Sequence, residues 1–370
     1  EARGFRGVRT EGTTYYISSS SGTNDNDGGS PERPWKSLDR IHVKSLSRAP
    51  FQPGDRILLK RGDIWDGQIR VRAAGAPDAP VVLGAYGEGP KPVIYGDNPE
   101  IRWEPVSNHR GVYSGYIGEG SIVASRAWQG LTPLRQVAPT GLNLSRPADL
   151  DAFLASFQPG TFGPPSGSTV WLRTLDGEFP RGVKIFRGAA VYIWNGSRHL
   201  VVQDLGMRRT STGIDVSESD SVAVRNNDIQ DTLGIAIYLR WGNTNCLVEN
   251  NTVLRAGNTA LYILTGARNT LRGNWVFQVT NKILGFPVSG DQAGIGLQQS
   301  RENIVEYNYV AFGGALDFYF EEGSAIRYNY LYRVRGGAFP HGTNIVVYGN
   351  VFHLGAPGKP FGNGMNAVST

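Results

Sequence analysis

The sequence has few residues that could crosslink the chain or form a metal cluster. Its 370 residues include a single cysteine, Cys246, with only two methionines and five histidines. One cysteine excludes a disulfide framework and any cluster of cysteine metal ligands. Free cysteines inside proteins usually behave as small hydrophobic residues, so we expect Cys246 to be buried.

Long hydrophobic runs and blocks of like charge are also missing. No apolar stretch approaches the ~18 residues that indicate a membrane-spanning helix, and we therefore predict no membrane partner. Charged residues make up 19% of the chain, and 37 basic against 32 acidic residues give a net charge of +5. The basic residues are scattered and are not interleaved with aromatic residues, so we predict no nucleic-acid partner.

Glycine and aromatic residues, by contrast, are plentiful. The chain contains 49 glycines, 16 tyrosines and 15 phenylalanines, which suit many short strands joined by tight turns. It begins without methionine and carries no signal-like segment, so we interpret it as a processed product. With its polar, turn-rich composition, this predicts a secreted protein, extracellular or periplasmic, that we expect to be a monomer.

One phrase recurs six times between residues 224 and 350: an aliphatic residue, two variable residues and an asparagine. The asparagines stand at positions 227, 251, 274, 308, 329 and 350, so that successive steps are 24, 23, 34, 21 and 21 residues. A period in the twenties predicts a solenoid, in which each repeat is one rung that buries its apolar face against the next. Asparagine at the same corner of every rung can stack its amides along the axis, so we predict a structural role for these residues.

The N-terminal region carries a second pattern. Residues 15–18 read Tyr-Tyr-Ile-Ser, residues 34–38 Pro-Trp-Lys-Ser-Leu, residues 53–57 Pro-Gly-Asp-Arg-Ile and residues 84–87 Gly-Ala-Tyr-Gly. Together with the repeats, these segments resemble right-handed parallel β-helix proteins of the pectate-lyase-like superfamily. The resemblance implies an all-β fold, a single right-handed parallel β-helix with an N-terminal cap. Many members are polysaccharide lyases or glycoside hydrolases, so it also implies a polysaccharide or oligosaccharide partner, although one scaffold hosts many reactions.

These patterns divide the chain into four regions. Residues 1–97 are predicted to form the cap and the first rungs, and residues 189–354 the regular rungs. Residues 98–188 break the rhythm and predict an inserted excursion of antiparallel strands and a short helix. The excursion either walls a binding cleft or packs over the solenoid. Residues 355–370 leave the repeat as a tail.

The rung register predicts a groove. Side chains of a strand alternate between its two faces, so the residues between the apolar positions face solvent. Counting back from the aliphatic anchors predicts one outward column of five residues, namely Asp215, Tyr238, Tyr262, Gly296 and Asp317. A second column lies two residues further along each strand and contains Ser217, Arg240, Leu264, Gln298 and Tyr319.

Tyrosine rings can bind the apolar face of a sugar while polar side chains bond its hydroxyl groups. The groove therefore predicts a sugar-binding floor, although a merely solvated sheet face stays open as the other interpretation. The predicted substrate-binding residues are Tyr238, Arg240, Tyr262, Gln298, Tyr319, His341, Lys282 and Asp215.

One rung is long, because 34 residues separate Asn274 from Asn308. Its extra segment, residues 279–293, enters just before a strand and is predicted to rise beside the floor as a cleft wall. It brings Asp291 to the edge of the floor, one rung from Asp317, and Glu321 closes the next strand. We predict Asp317 and Asp291 as a catalytic pair, with Glu321 as the substitute partner.

Carboxyl groups on adjacent rungs can flank a glycosidic bond, since their separation is about 5 Å in retaining glycosidases and about 6.5–9.5 Å in inverting ones. The favoured prediction is therefore a glycoside hydrolase that needs no cofactor. Asp215 lies four rungs from Asp317, about 19 Å at ~4.8 Å per rung, and is assigned to an outer subsite.

Other functions stay open. A polysaccharide lyase removes the proton beside a uronate carboxylate, and its β-helix members generally use lysine or arginine as the base and calcium or arginine to neutralise the charge. Arg240 and Lys282 are available for these roles, and Asp291, Asp317 and Glu321 have the hard oxygen ligands that calcium prefers. The third alternative is a β-helix that binds a glycan without cleaving it, and a sugar epimerase is a fourth.

Overall fold

Three short strands, each followed by a sharp corner, build every rung from residue 189 onward. The computed structural model describes residues 12–98, 101–117, 124–130, 132–164, 169–194, 196–280, 282–283, 286–287 and 293–354. Strands of successive rungs pair in parallel along the whole solenoid, and the predicted all-β, right-handed parallel β-helix is confirmed.

The N-terminal part begins the three stacks of strands, and one helix lies among them. Its elements are β1 (Thr14–Ile17), α1 (Asp39–Leu46), β2 (Arg56–Lys60), β3 (Ile64–Asp66), β4 (Ile69–Val71), β5 (Val81–Tyr86) and β6 (Val93–Tyr95).

The excursion predicted after residue 97 contains two small, mostly antiparallel sheets and a helix that begins with a proline in its first turn. Its elements are β7 (Asp97–Asn98), β8 (Trp103–Pro105), β9 (Val112–Tyr116), β10 (Ala124–Gln129), β11 (Thr132–Pro133), β12 (Arg135–Gln136), α2 (Pro147–Ala155), β13 (Thr161–Gly163), β14 (Thr169–Arg173) and β15 (Val183–Arg187). Neither described helix has the length and apolar character that crossing a membrane requires.

The regular rungs follow in strict order, and a two-stranded hairpin interrupts them in the long rung. Their strands are β16 (Ala189–Ile193), β17 (Leu200–Gln203), β18 (Gly206–Thr210), β19 (Thr212–Ser217), β20 (Ala223–Arg225), β21 (Asp228–Thr232), β22 (Ile237–Arg240), β23 (Leu247–Glu249), β24 (Thr252–Ala256), β25 (Leu261–Leu264), β26 (Thr270–Arg272), β27 (Trp275–Val279), β28 (Lys282–Ile283), β29 (Phe286–Pro287), β30 (Ile295–Gln298), β31 (Ile304–Glu306), β32 (Tyr309–Ala311), β33 (Gly314–Glu322), β34 (Ala325–Arg327), β35 (Tyr330–Thr343), β36 (Val346–Tyr348) and β37 (Val351–Leu354).

The strands form three faces. The groove sheet consists of β4, β16, β19, β22, β25, β30, β33 and the second half of β35. The ladder sheet consists of β1, β2, β5, β17, β20, β23, β26, β31, β34 and β36. The back sheet consists of β3, β6, β18, β21, β24, β27, β32, the first half of β35, and β37.

The core is a single apolar column inside the three sheets. Each groove-sheet strand from β4 to β33 contributes two fully buried aliphatic or aromatic side chains, such as Ile237 and Leu239 in β22 or Leu316 and Phe318 in β33. Burying one such side chain stabilises the fold by roughly 1.5–3 kcal/mol. Cys246 belongs to this core, as predicted.

The asparagine ladder is confirmed as structural. Asn274 accepts hydrogen bonds at Oδ1 from the backbone N–H and the side-chain amide of Asn251, both at 3.0 Å. Its own Nδ2 donates to the carbonyl of Val248 and to Oδ1 of Asn308, both at 2.9 Å. The same pattern extends from Asn227 to Asn350. Each asparagine from Asn227 to Asn329 is thus bonded to the rung before it and the rung after it.

A column of alternating charge runs along the outer face of the ladder sheet. Strand pairing places Arg225, Glu249, Arg272, Glu306 and Arg327 in successive rungs. The buried Glu306 accepts hydrogen bonds from Nε of Arg272 at 2.7 Å and from Nε of Arg327 at 2.6 Å. Although burial acts to raise it, these two guanidinium groups hold the pKa of Glu306 below its ordinary value.

The ladder predicts an uneven sensitivity to mutation. Asn274→Ala leaves buried groups of two neighbouring rungs unpaired, so we expect it to lower the free energy of unfolding by about 1–3 kcal/mol. Asn350→Ala removes a partly exposed member at the end of the ladder, where water can replace the amide, and we expect a smaller loss. Urea denaturation of both variants measures the difference, and equal losses would contradict the buried-ladder account.

Candidate functional site

The pairing of the groove-sheet strands confirms both predicted outward columns. The first runs through Asp215, Tyr238, Tyr262, Gly296 and Asp317 in successive rungs. The second runs through Ser217, Arg240, Leu264, Gln298, Tyr319 and His341. The register also extends the first column backwards to Tyr192 and Arg70, which the sequence analysis did not include. Counting one more rung along the alternating pattern of β16 would have found Tyr192.

A pocket of about 370 Å³ opens at the N-terminal end of these columns. Its lining includes Arg70, Tyr192, Asp215, Tyr238 and Arg240 from the groove sheet. The remaining lining residues lie mainly at the corners that lead from the back sheet into the groove sheet. The pocket therefore contains one carboxyl group, two guanidinium groups and two phenol rings among its described residues.

Asp215 lies at the bottom of this pocket. Its side chain is buried, and Oδ1 accepts a hydrogen bond from Nε of Arg240 at 2.8 Å. Burial raises the pKa of the Asp215 carboxyl to about 6, although the Arg240 guanidinium acts in the opposite direction. Burial prevails because removing a carboxylate from water costs more free energy than the attraction of one partly exposed guanidinium group returns.

Arg240 is held in place by aromatic rings. Its guanidinium carbon lies 3.8 Å from the ring centre of Trp241, and the rings of Tyr238 and Tyr192 are within cation–π range at 5.6 and 5.9 Å. A guanidinium over an aromatic face is attracted by the ring quadrupole. The stacking fixes the guanidinium that bonds Asp215 and orients it toward the pocket.

Tyrosine rings continue the floor beyond the pocket. The rings of Tyr238 and Tyr262 are 5.4 Å apart, and burial raises the pKa of the Tyr238 hydroxyl, which therefore stays protonated. The Tyr262 ring leans over Gly296, where a Cβ atom would come within 2.7 Å of it, and the Tyr262 hydroxyl bonds Gln298. Glycine is required at residue 296 because of this close approach.

Two insertions meet beside the pocket. The excursion follows β6 and the long loop follows β27, both strands of the back sheet, so both leave the solenoid at the corner between the back and groove sheets. Trp128 and Phe186 of the excursion, Ile283 of the loop and Leu233 of the corner form one buried cluster. Leu233 immediately precedes Gly234, which lines the pocket. Both insertions thus pack on a corner of the solenoid next to the pocket, and the cleft-wall role of each stays a prediction.

Of the predicted catalytic residues, the structure describes Asp317 and Glu321. Asp317 is half-buried in the first column, four rungs from Asp215. Lys282 lies in β28 of the long loop, and Asp291 lies outside the described residues. The proposed roles of these residues stay predictions.

Glu321, predicted as the substitute partner of the catalytic pair, does not face the groove. Its side chain points into the solenoid, is 1% exposed, and accepts hydrogen bonds from Ser300 Oγ at 2.5 Å, Asn303 Nδ2 at 2.9 Å and the Ser324 hydroxyl. Such an enclosed carboxyl group supports a corner of the fold and does not face a substrate in the groove.

The cause is a corner that strict alternation does not anticipate. Phe320 has a left-handed backbone conformation with φ of 54°, and the pairing of β33 with β35 shifts register between Tyr319 and Glu321. The chain therefore turns at Phe320, and Glu321 faces inward although it is four residues after the outward Asp317.

Comparison with known proteins places the fold in a wider group. The model of the family described as periplasmic copper-binding protein (NosD) matches residues 166–355. Lacto-N-biosidase of Bifidobacterium longum subsp. longum is 24% identical over 410 residues, which cover 87% of this chain and 24% of that protein. The chain thus spans about a quarter of the length of this curated relative.

Two solved structures share the fold. The complex of XylC with xylose has a TM-score of 0.54 at 13% identity and covers 90% of this chain and 65% of that one. The GH136 lacto-N-biosidase from Eubacterium ramulus has a TM-score of 0.52 at 15% identity and covers 91% of this chain and 55% of that one.

The raised pKa of Asp215 predicts a pH-dependent stability. The folded state binds the Asp215 proton more tightly than the unfolded state, so stability falls as the pH rises from about 4 to about 6 and this loss is complete above pH 6. Asp215→Asn abolishes the charge, and we expect it to stabilise the protein on the order of 2–3 kcal/mol at pH 7 and little at pH 4.

Denaturant titrations at both pH values measure this difference. The matched control is Asp228→Asn, which removes a carboxylate from a partly exposed pair with Lys91 at 2.9 Å. We expect it to change stability by no more than about 1 kcal/mol at either pH. If Asp215→Asn raised the free energy of unfolding by the same amount at pH 4 and pH 7, the effect would not come from removing a buried charge, and the prediction would be refuted.

Proposed function

The chain belongs to the NosD family, and from that premise we propose that this member binds a carbohydrate in its groove and hydrolyses a glycosidic bond. The observation that carries the proposal is Asp215, a buried carboxyl group whose pKa of about 6 keeps it largely protonated in mildly acidic solution. A protonated carboxyl group beside an open pocket can donate its proton to the oxygen of a leaving sugar.

Copper has no part in this proposal, although the family description names it. Copper takes thiolate, thioether and imidazole ligands. Cys246 is buried, and burial raises the pKa of its thiol to about 12, while Met207 is enclosed in the core. No three histidine, cysteine, aspartate or glutamate side chains converge in the described part of the chain. The residues that the structure describes do not fit a copper ion.

The pocket walls suit a sugar. The rings of Tyr192 and Tyr238 offer apolar surface to a pyranose, and Arg240, with its Nε bonded to Asp215, still has Nη groups that can bond hydroxyl or carboxylate oxygens. The relatives lend this interpretation support, since the curated relative and one of the solved structures are named lacto-N-biosidases and XylC was crystallised with xylose.

The predicted pair Asp317 and Asp291 is an alternative catalytic site for the same reaction. Asp317 lies four rungs, or about 19 Å at ~4.8 Å per rung, from Asp215, so the two cannot act on the same bond. The two placements are therefore exclusive, and separate substitutions distinguish them.

A polysaccharide lyase is the second candidate function. Arg70 and Arg240 both line the pocket, and two permanent positive charges favour a uronate carboxylate. In that case the arginines neutralise the carboxylate while a base removes the adjacent proton. A calcium-assisted variant with Asp317 and Asp291 is a further proposal for the lyase.

We also propose that the protein acts outside the cytoplasm. The supporting observation is that the family whose model matches residues 166–355 is described as periplasmic.

Incubation with a panel of neutral and uronic polysaccharides and oligosaccharides tests the reaction. New reducing ends without ultraviolet absorbance indicate hydrolysis, whereas the absorbance of an unsaturated uronate indicates a lyase. Activity that survives a chelator removes the calcium role. Glycan binding with no product in either assay would leave the non-catalytic alternative.

Asp215→Asn tests the residue. It keeps the size and the bond to Arg240 but cannot donate the proton, so we expect kcat/KM to fall about 10²–10⁴-fold. In the wild type, kcat/KM is expected to decline above pH 6, where Asp215 ionises. Asp317→Asn is the matched control, with a change of less than about tenfold. The opposite ranking would move the reaction to the Asp317 site.

A further inference from the structure

The groove continues well past the Asp215 pocket on the same sheet. Arg240, Leu264, Gln298 and Tyr319 follow one another in the second column, so Tyr319 lies three rungs from Arg240. At ~4.8 Å per rung this is about 14 Å along the axis. The distal end of the groove therefore lies within reach of a ligand that extends out of the pocket.

Aromatic side chains cluster at this distal end. Tyr319 is 41% exposed, and its ring stacks on that of His341 with centres 5.7 Å apart and planes inclined by 22°. Two stacked rings cover each other's faces and present their edges, where the phenol oxygen and the imidazole nitrogens lie. These edges offer hydrogen bonds rather than an apolar platform.

Phe320 supplies the apolar surface beside them. It is 76% exposed, and with Arg301 and Glu322 it lines a second pocket of about 300 Å³. A phenyl ring this exposed has apolar surface available for contact with a ligand.

Phe320 has a counterpart at the first pocket. The same left-handed corner position holds Trp241, which is 50% exposed and stacks on Arg240. The intervening corner residues, Thr265 and Gln299, are small or polar. Two exposed aromatic residues, Trp241 and Phe320, thus lie three rungs apart on one edge of the groove.

We propose that Tyr319, Phe320 and His341 form a distal subsite for the same glycan chain whose reacting residue lies in the Asp215 pocket. This inference rests on the proposed carbohydrate function and adds a class of substrate, namely chains of several sugar units rather than isolated monosaccharides or disaccharides. Phe320 packs against the apolar face of a distant sugar ring, while Tyr319 and His341 bond its hydroxyl groups.

The continuity of the groove favours a glycan over another protein. Between the two ends the columns contain Tyr262, whose hydroxyl bonds Gln298, Gly296, which has no side chain, and Leu264. Leu264 is the one apolar side chain among these described residues, and the others offer a hydroxyl and an amide group. A linear, hydroxylated ligand matches these groups, whereas a protein partner would leave the isolated aromatic ends without a connecting apolar surface.

Calorimetric titration with cello-, xylo- and galacturono-oligosaccharides, each from disaccharide to hexasaccharide, tests the subsite. We expect affinity to rise with chain length in one series. Phe320→Ala and Tyr319→Ala are then expected to weaken hexasaccharide binding about tenfold and to leave disaccharide binding unchanged. Because both side chains are exposed, the variants are expected to fold. If the protein cleaves one of the series, we expect these variants to have a higher KM for the hexasaccharide than the wild type and an unchanged kcat.

Tyr307→Ala is the matched control. Tyr307 is also exposed and also has a left-handed backbone conformation, but it lies at the corner between the ladder and back sheets, away from the groove. It is expected to bind every length like the wild type. Affinity independent of length in all three series, or equal effects of the substitutions on disaccharide and hexasaccharide, would overturn the proposal. Length-dependent binding without cleavage would support the subsite while refuting hydrolysis, so the two proposals fail separately.

Discussion

Hydrogen bonding between successive rungs is the constraint on which the rest of the structure depends. Parallel pairing holds neighbouring strands ~4.8 Å apart, and the asparagine ladder repeats the same corner geometry from rung to rung. Asn274, for example, is bonded to residues of the rungs on both sides. Because the spacing is uniform, side chains at equivalent positions form straight columns. The groove exists because such columns exist.

The fold and the outward columns could be predicted because they depend on a period. Six aliphatic-x-x-Asn phrases set the rung length, and strand alternation then placed Asp215, Tyr238 and Asp317 in one line. Alternation holds only within a strand, however. At Phe320 the chain turns through a residue with a left-handed backbone conformation, and Glu321, predicted as a substitute catalytic partner, is buried behind this turn.

The importance of Asp215 could not be predicted from the same pattern. Its position in the column followed from counting, whereas its burial depends on Arg240 one rung away and on the shape of the pocket around it. The meeting of the two insertions is equally inaccessible to local pattern, because Trp128 and Ile283 are far apart in the sequence and belong to one buried cluster with Leu233 of the corner. A repeat locates the floor of the groove, but contacts between segments that do not repeat determine which part of the floor is enclosed.

The alternating column on the ladder sheet has a consequence for how such a solenoid can change its length. Arginine and glutamate succeed each other at Arg225, Glu249, Arg272, Glu306 and Arg327, so the charge pattern repeats every two rungs although the backbone repeats every one. Losing or duplicating a single rung would bring two like charges into contact at the junction. Losing or duplicating two rungs would preserve the order. In this part of the chain, the unit that can be copied without electrostatic penalty is therefore a pair of rungs.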